Sequence, residues 1–350
     1  MAYLSDILFI LKLRDNYNSA TDYTNSLSTG LSNSCSFIDT MLKNNNNVLS
    51  NIEIVNDNND IDSVVTLHKP RIVIIEALWV VPEKFKVLTR LHSDVNWVVR
   101  LHSELPFLAN EGIAIQWINQ YLTYPNVYVA ANSNIIFEEL QHYVRSYKKG
   151  YNKKLVYLPN HYDLKESFYY YKKEKDWIDV SCFGAIRPLK NHMIQALAAL
   201  KFANKIGKNL RFHINSERTE QKGDSILKNL ISFFDGLKDQ GHELVRYEWK
   251  TYEEFLKLCR SMDIGMQCSF SETFNIVAAD HINMGVPVVT TDEIPWACSL
   301  FTANATNSDD ICKKLRRAYK WADYNVYFNK RNIEKYNEES EEYWLKFLLH

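Results

Sequence analysis

Two carboxylates that stand eight residues apart, Glu272 and Asp280, are the side chains of this sequence best suited to do chemistry together. The segment that carries them, residues 269–280, follows an apolar strand pattern and is predicted to be helical. An α-helix advances about 1.5 Å and 100° per residue, so we expect the two carboxylates roughly 12 Å apart along one helix and within about 80° of each other around it. This spacing suits a long polar ligand bound at both ends, with an anion between them at the helix N-terminus.

The elements around these carboxylates alternate between short apolar strands and helical patterns. In the N-terminal half, strands are predicted at residues 7–11, 52–55, 71–75, 96–100, 126–130 and 154–158. In the C-terminal half, they are predicted at residues 180–184, 210–214, 244–247, 264–268 and 286–290. Helices are predicted at residues 26–43, 193–206, 226–237 and 252–259, and from residue 309 onwards. This alternation indicates two Rossmann-like, doubly wound α/β domains with parallel sheets, which bind ligands at the carboxyl ends of their strands.

The composition is that of an ordinary soluble globular protein. Of the 350 residues, 46% are hydrophobic and 24% are charged, and the net charge of -1 predicts no strong attraction to nucleic acid or to an anionic membrane. No apolar run reaches the roughly 18 residues that span a bilayer, and we find no secretory signal. Six scattered cysteines without a CxxC pair indicate reduced thiols and no zinc site. We therefore expect a cytoplasmic protein without stable membrane insertion, although attachment to a membrane surface stays open.

Four segments of the sequence resemble the retaining glycosyltransferases of the GT-B fold, especially those of glycosyltransferase family 4. Residues 269–289, with Glu272 and Asp280 followed by Gly-Val-Pro-Val-Val, resemble the E-x7-E region. Residues 181–192 resemble the segment that holds the donor diphosphate, and residues 158–163 resemble a motif at the domain junction. Residues 99–107 are similar to a cleft-facing segment that often carries a histidine. Four such segments in the right order are more specific than any one alone.

The resemblance implies a GT-B architecture in which the two domains face a central cleft. The acceptor-side domain would span residues 1–165 and the donor-side domain residues 166–325, and a helix at 326–350 would cross back to the first domain. The implied reaction is the transfer of a sugar, of the hexosyltransferase type, from a nucleotide-diphosphate sugar with retention of configuration. No metal or other cofactor is expected, because cations and helix amides stabilise the leaving diphosphate. The acceptor stays open between a glycan, a lipid-linked sugar, a protein and a modified nucleic-acid base.

The resemblance also implies roles for single residues. Glu272 would contact hydroxyls of the transferred sugar, and His102 would act beside it on the donor sugar or phosphate. Asp280 would accept hydrogen bonds from the ribose. The rest of the donor site would comprise Arg187, Lys190, Trp249 and the backbone amides of Phe274, Asn275 and Ile276. Glu76 and Asn132 also follow strands and could line the acceptor side, but structural roles for both, and a packing role for Trp249, stay open.

The sequence departs from the family pattern at several positions. The second acid is Asp280 rather than Glu, Asn275 replaces a glycine, and Ala185 stands where an arginine is expected, with Arg187 two residues later. The glycine-rich loop expected after the first strand is absent from residues 12–17. The departures at Ala185, Asn275 and Asp280 keep open the alternative of a non-catalytic protein that binds a nucleotide-sugar or glycan. A further alternative is a GT-B relative of the phosphorylase or epimerase kind, although no lysine segment for pyridoxal phosphate is evident.

Overall fold

The computed structural model describes residues 4–13, 30–46, 48–165 and 174–349. The chain separates into two compact units, which we call unit 1, residues 1–163 with 336–350, and unit 2, residues 164–335. Each unit contains a parallel β-sheet with helices between successive strands. The predicted class of two doubly wound α/β domains is confirmed.

Unit 1 is built on a six-stranded parallel sheet with the order β2-β1-β3-β4-β5-β6. Its strands are β1 (Ser5–Lys12), β2 (Ser50–Val55), β3 (Pro70–Glu76), β4 (Asn96–Leu101), β5 (Val127–Ala131) and β6 (Leu155–Tyr157). Its described helices between strands are α1 (Gly30–Asn46), α2 (Ile61–His68), α3 (Pro82–Leu91), α4 (Leu105–Leu108), α5 (Ala114–Tyr121) and α6 (Asn134–Tyr147). Because β3, β4 and β5 are neighbours, the residues at their carboxyl ends lie side by side.

Helices cover both faces of the unit 1 sheet, so its central strands are buried on both sides. Leu8 and Ile10 of β1 point into one apolar core, and Ile7 and Phe9 point into the other. This arrangement explains the nearly continuous apolar runs, since alternate side chains of a strand face opposite sides of a sheet. The predicted N-terminal strands are all present, with shifts of one or two residues at their ends.

Unit 2 is built on a five-stranded parallel sheet with the order β11-β10-β7-β8-β9. Its strands are β7 (Trp177–Ser181), β8 (Asn209–Asn215), β9 (Glu243–Tyr247), β10 (Ile264–Gln267) and β11 (Val288–Thr290). Its helices are α7 (His192–Lys205), α8 (Gly223–Asp235), α9 (Tyr252–Arg260), α10 (Ile276–Asn283) and α11 (Ser308–Lys320), and the long α12 (Ala322–Leu348) begins here. Short 3₁₀ turns lie at Pro188–Lys190 and Lys238–Gln240 in this unit and at Tyr151–Lys154 in unit 1.

Strand β7 begins three residues earlier than the sequence pattern indicated, at Trp177 rather than residue 180. Asp179, a polar residue in the middle of the strand, interrupts the apolar pattern from which the strand was predicted. Its carboxylate forms hydrogen bonds with His213, at 2.9 Å, and an ion pair with Lys175. The guanidinium of Arg211 lies 4.1 Å from the centre of the Trp177 ring. The predicted start was wrong because partners that are distant in sequence satisfy these side chains.

The end of α12 packs within unit 1. Trp344 is fully buried, and its indole N–H donates a 2.9 Å hydrogen bond to the carbonyl of Pro159. Phe347 and Leu348 pack against the same core, and the Arg71 guanidinium donates to the Leu348 carbonyl at 2.8 Å. None of the described helices is both long enough and apolar enough to cross a membrane.

Candidate functional site

The residues predicted to hold the donor lie in loops that follow the carboxyl ends of the unit 2 strands. Arg187 and Lys190 follow β7, Trp249 follows β9, and Glu272 follows β10. In a parallel sheet these ends share one edge, so the loops meet there.

Lys190 and Glu272 form an ion pair, with 2.5 Å between Nζ and Oε1. Both side chains are largely buried, at 12% and 8% exposure. Side chains at the start of α7 hold the two loops together. Asn191 donates a 3.0 Å hydrogen bond to the carbonyl of Cys268, and Gln195 donates to the Lys190 carbonyl at 2.7 Å. The pair is therefore fixed by the loops that carry it, and it is not an incidental surface contact.

The potential around this pair is positive. Burial alone would raise the pKa of Glu272, but the charges of Lys190 and Arg187 outweigh it and lower that pKa below its ordinary value. Burial, together with the same two cations, lowers the pKa of His192 to about 3. The two cations that keep the Glu272 carboxylate ionised would also stabilise a bound anion.

Two residues that the sequence interpretation missed extend the site, Arg218 and Glu220 in the loop after β8. Glu220 pairs with Arg218 at 2.5 Å and with Arg187 at 3.4 Å. The Arg218 guanidinium lies 5.3 Å from the centre of the Trp249 ring, so Trp249 belongs to the same cluster as Arg187. In the sequence, only the charged run at residues 217–220 could have indicated Arg218 and Glu220, and such a run is equally typical of a solvated loop.

The ion pairs of the cluster join three cations to two carboxylates. The cations are Arg187, Lys190 and Arg218, and the paired carboxylates are Glu220 and Glu272, while Glu217 accepts a 2.6 Å hydrogen bond from the Trp249 amide. The two cations closest to Glu272, Lys190 and Arg187, make this part of the loops complementary to a ligand with negative charge.

Gly223, the first residue of α8, lets the β7 and β8 loops approach each other. Ile186 bridges to Thr219, and a Cβ atom on Gly223 would lie only 2.0 Å from the carbonyl oxygen of Ile186. Any side chain at this position would push away the loop that carries Arg187.

Glu272 lies in a loop rather than on the helix, so the expected helical spacing between Glu272 and Asp280 is wrong. Helix α10 begins only at Ile276, because Asn275 has a left-handed backbone, with φ of 61°. Asn275 accepts a 2.9 Å hydrogen bond from the Ala278 amide, and thereby caps the helix. Asparagine tolerates positive φ better than most residues, which explains how it can stand where the family has glycine.

Asp280 lies in the middle of α10 and is 1% exposed. The Tyr252 hydroxyl at the start of α9 donates a 2.9 Å hydrogen bond to its Oδ1. Tyr252 was also missed, because only the packing of α9 against α10 brings it to the carboxylate. This hydrogen bond fixes the orientation of the Asp280 carboxyl group.

The amides expected to bind phosphate are at the start of α10. Phe274 is buried against Trp296, whose indole N–H donates to the Phe274 carbonyl at 2.8 Å. Ile276 is the first helical residue, and the first four N–H groups of a helix lack partners within it. Among the residues that the structure describes, no group of three or more His, Cys, Asp or Glu side chains could hold a metal ion.

Unit 1 contains a separate cluster at the carboxyl ends of β3, β4 and β5. The structure brings together the three residues predicted there: His102 forms a short hydrogen bond with Glu76, and the Asn132 amide nitrogen lies 3.4 Å from His102 Nδ1. Arg100, which the sequence interpretation did not select, pairs with Glu76 at 3.1 Å, and both of their side chains are fully buried. An acid, a base and an amide in contact can orient a hydroxyl group or move a proton.

Arg100 holds the unit 1 cluster in its charged form. Burial would raise the pKa of Glu76, but the charges of Arg100 and His102 lower it overall. Arg100 also donates to the Leu158 carbonyl at 2.9 Å and to Asn160 Oδ1 at 2.5 Å. His102 therefore faces a carboxylate whose charge and position are fixed.

No protein-family model matches the sequence, and a search of curated proteins found no match. Solved structures do match over nearly the whole chain. The UDP-forming α,α-trehalose-phosphate synthase of Burkholderia vietnamiensis is 8% identical, with a TM-score of 0.68 over 99% of this chain and 97% of that one. The E. coli trehalose-6-phosphate structure bound with UDP-2-fluoro glucose is 11% identical, with a TM-score of 0.65 over 98% and 99%.

A third match is HepE of Anabaena, solved in complex with UDP and glucose. It is 13% identical, with a TM-score of 0.61 over 97% of this chain and 98% of that one. At such identities the likeness is one of fold, and these structures share the GT-B glycosyltransferase fold. The predicted GT-B fold is therefore confirmed, while the resemblance to family 4 stays a prediction: this chain has the GT-B fold.

Proposed function

We propose that this protein is a retaining glycosyltransferase that moves a sugar from a nucleoside-diphosphate sugar to an acceptor. The observation that carries the proposal is the buried Lys190–Glu272 pair, which lies with Arg187 and Arg218 at the carboxyl edge of the unit 2 sheet. A nucleoside-diphosphate sugar is the ligand class that combines an anionic diphosphate with a polar sugar at each end.

Lys190 and Arg187 bind the donor diphosphate in this proposal. When the bond between the sugar and the phosphate breaks, negative charge develops on the leaving diphosphate, and fixed cations stabilise it without reorganisation. The lowered pKa of Glu272 supports this assignment, because the charges of Lys190 and Arg187 that outweigh its burial are the ones that a phosphate would meet. The first amides of α10 add donors at the positive end of the helix dipole.

Glu272 and Asp280 bind the two sugar rings of the donor. Glu272 stays ionised beside Lys190, so it can accept hydrogen bonds from hydroxyls of the transferred sugar. Asp280, oriented by Tyr252, accepts hydrogen bonds from the ribose. Trp249 and Arg218 form a flat surface for the nucleotide base.

His102 is the candidate for proton transfer or hydroxyl positioning in unit 1. Glu76 fixes its ring and would stabilise the imidazolium form, as a buried carboxylate does for a general base. Asn132 contacts the other ring nitrogen and limits its rotation. The acceptor, whose class stays open, would be recognised by this unit.

UDP-sugars are the first donors to test, because two of the matching structures contain UDP or a UDP-sugar analogue. Thermal shift of the purified protein against nucleoside diphosphates and their sugars is the primary experiment. A ligand at one hundred times its Kd stabilises the native state by about 2.7 kcal/mol. We expect a shift with one nucleoside diphosphate and a larger shift with its sugar. The absence of a shift across the whole panel would overturn the proposal.

A non-catalytic binding protein is the second candidate function, favoured by one feature of the site. Ala185 stands where the family pattern has an arginine, so a cation that would stabilise the leaving diphosphate is missing from that position. The two candidates differ in turnover. Release of nucleoside diphosphate from the sugar donor that binds, in the presence of acceptors from each class or of water alone, identifies an enzyme.

A further inference from the structure

Positive charge is concentrated in one short segment of unit 2. Residues 313–331 contain seven lysines and arginines and one acid, Asp323, which gives a formal charge of +6, whereas the whole chain carries -1. The acids just before this segment are engaged: Asp309 pairs with Lys201, and Asp310 accepts a hydrogen bond from the Asn304 amide. The segment is therefore a local basic region on a protein that is otherwise acidic.

The same segment exposes large aromatic side chains. Trp321 is 45% exposed, Tyr324 64%, Tyr327 54% and Phe328 39%. Tyr324, Tyr327 and Phe328 are three or four residues apart on one side of the start of α12, and Trp321 directly precedes that helix. The ring of Phe328 lies 6.4 Å from that of Tyr324 and 5.4 Å from that of Tyr327.

An exposed leucine contacts two cations of α11, the helix that ends just before Trp321. Leu300 is 45% exposed, and its carbonyl accepts hydrogen bonds from Lys314 at 3.2 Å and from Arg317 at 3.1 Å. We use the name basic–aromatic surface for Leu300 with the side chains of residues 313–331 that are not buried.

The exposed aromatic residues are not needed to hold α12 on unit 2, because the opposite side of the helix does this. Asn325 is buried and exchanges two 2.9 Å hydrogen bonds with the backbone of Val288 on β11. Asn329, one turn later, accepts a 2.8 Å hydrogen bond from the Cys298 amide. The helix is thus anchored through its asparagines, and its aromatic side is left to solvent.

The cations around Lys314 lie close to one another. Burial and the nearby charges of Arg317 and Lys313 lower the pKa of Lys314, with Asp310 opposing them only in part. Crowded cations of this kind attract a surface with many negative charges.

We propose that the basic–aromatic surface docks this protein onto an anionic lipid bilayer, with the aromatic side chains in the headgroup region. Tryptophan and tyrosine favour the boundary between water and lipid, where a ring is partly apolar and its polar group stays hydrated. Lysines and arginines beside them are attracted to anionic headgroups. The proposal is independent of the proposed glycosyltransferase activity.

Charge and shape favour a bilayer over two other partners. Single-stranded nucleic acid is bound in basic grooves with aromatic side chains along them, whereas these rings project from the convex side of a helix. A second copy of the chain, docked through the same surface, would bring two regions of formal charge +6 against each other.

Co-sedimentation of the full chain with lipid vesicles tests the proposal. We expect binding to phosphatidylcholine mixed with phosphatidylglycerol, loss of that binding at high salt, and weak binding to phosphatidylcholine alone. The triple variant Lys313→Gln, Arg316→Gln, Lys320→Gln changes exposed cations and should weaken binding about a hundredfold, since each cation near the membrane contributes about a factor of five. The matched control Lys228→Gln, Lys238→Gln, Lys257→Gln removes the same charge elsewhere on unit 2 and should change binding less than about twofold.

A second pair of variants tests the aromatic contribution. The double variant Trp321→Ser, Tyr324→Ser should lose binding to anionic vesicles, while Leu67→Ser, Leu91→Ser, which removes two exposed leucines of unit 1, should bind like the parent. Brominated lipid should quench the fluorescence of the parent more than that of Trp321→Phe. The proposal would be overturned if the parent bound neutral and anionic vesicles equally well, or if a control lost as much binding as the variant it is matched to. Equal quenching of the parent and of Trp321→Phe would also overturn it. So would tighter binding of single-stranded nucleic acid at the same salt, or a dimer by light scattering that the aromatic variant abolishes.

Discussion

The two units place charged residues at the same edge of similar sheets, but they balance the charges differently. In unit 1, Glu76 and Arg100 are fully buried and neutralise each other, and His102 is attached to that pair. In unit 2, the side chains of Arg187 and Lys190 keep 23% and 12% exposure, and their carboxylate partners, Glu220 and Glu272, are not fully buried either. The first arrangement fixes a side chain in place, while the second keeps a positive potential for a ligand.

Breaking the buried pair of unit 1 should have the largest effect on stability. Arg100→Met leaves the Glu76 carboxylate at 0% exposure without its main partner, and such a change costs about 3–5 kcal/mol in unfolding free energy. Chemical denaturation followed by circular dichroism measures this cost. Arg145→Met, at an exposed position of α6, is the control and should be close to neutral. A small effect of Arg100→Met would mean that Glu76 takes up a proton and is not held as an anion.

Changing the acid of the unit 2 pair should act on catalysis more than on stability. Glu272→Gln keeps a hydrogen-bond acceptor for Lys190 but removes the charge, so we expect kcat for sugar transfer to fall by about 10²–10³. Affinity for the free nucleoside diphosphate should stay the same or increase, because one anion has left the cluster. Initial rates and calorimetric titration give both quantities. Glu253→Gln on the exposed side of α9 is the control. A parallel loss of affinity and rate would assign Glu272 to binding alone.

Acid should destabilise unit 2 before unit 1. Burial lowers the pKa of His281 to about 4, and burial with nearby cations lowers that of His192 to about 3. Below the ordinary histidine pKa the unfolded chain binds protons that these folded residues do not, so stability falls as the pH drops from about 6.5 towards 4, by roughly 2 kcal/mol per histidine at about pH 5. In unit 1, Glu76 has a lowered pKa and stays ionised, and burial lowers the pKa of His161.

Hydrogen exchange of peptides from each unit at pH 7 and pH 5, corrected for intrinsic rates, measures this difference. Protection should fall more in unit 2 than in unit 1. His192→Asn should remove part of the pH effect, and His142→Asn, at an exposed position of α6, should leave it unchanged. Equal loss of protection in the two units would contradict the assignment.

The sequence predicted the sheets because buried parallel strands are continuous apolar runs, and this signal is local. It also predicted Glu76, His102 and Asn132 as separate strand-end residues, and the order of β3, β4 and β5 brought them together. Arg100 was not predicted, because its charge lies within an apolar strand and is neutralised by a residue 24 positions away.

The interpretation of unit 2 failed where one backbone angle or one distant partner decides the geometry. The positive φ of Asn275 ends the loop and starts α10, so Glu272 is not helical. Arg218 and Glu220 had no pattern that separates a binding loop from a solvated one. They belong to the candidate site because Glu220 pairs with both Arg218 and Arg187, and the sequence alone does not identify these pairs.

The smallest expected effect tests the ribose end of the unit 2 site. Tyr252→Phe removes the hydroxyl that donates to Asp280, while the ring stays in the packing between α9 and α10. A hydrogen bond to a charged group contributes about 1.5 kcal/mol or more, so affinity for the preferred nucleoside diphosphate should fall about tenfold. The affinity for the 2′-deoxy form of the same nucleotide should fall less, because that form lacks one hydroxyl from which Asp280 would accept a hydrogen bond. Tyr324→Phe is the matched control, since its ring is exposed far along the chain on α12. If both nucleotides lose affinity equally, Tyr252 supports the fold of α9 and Asp280 does not contact the ribose.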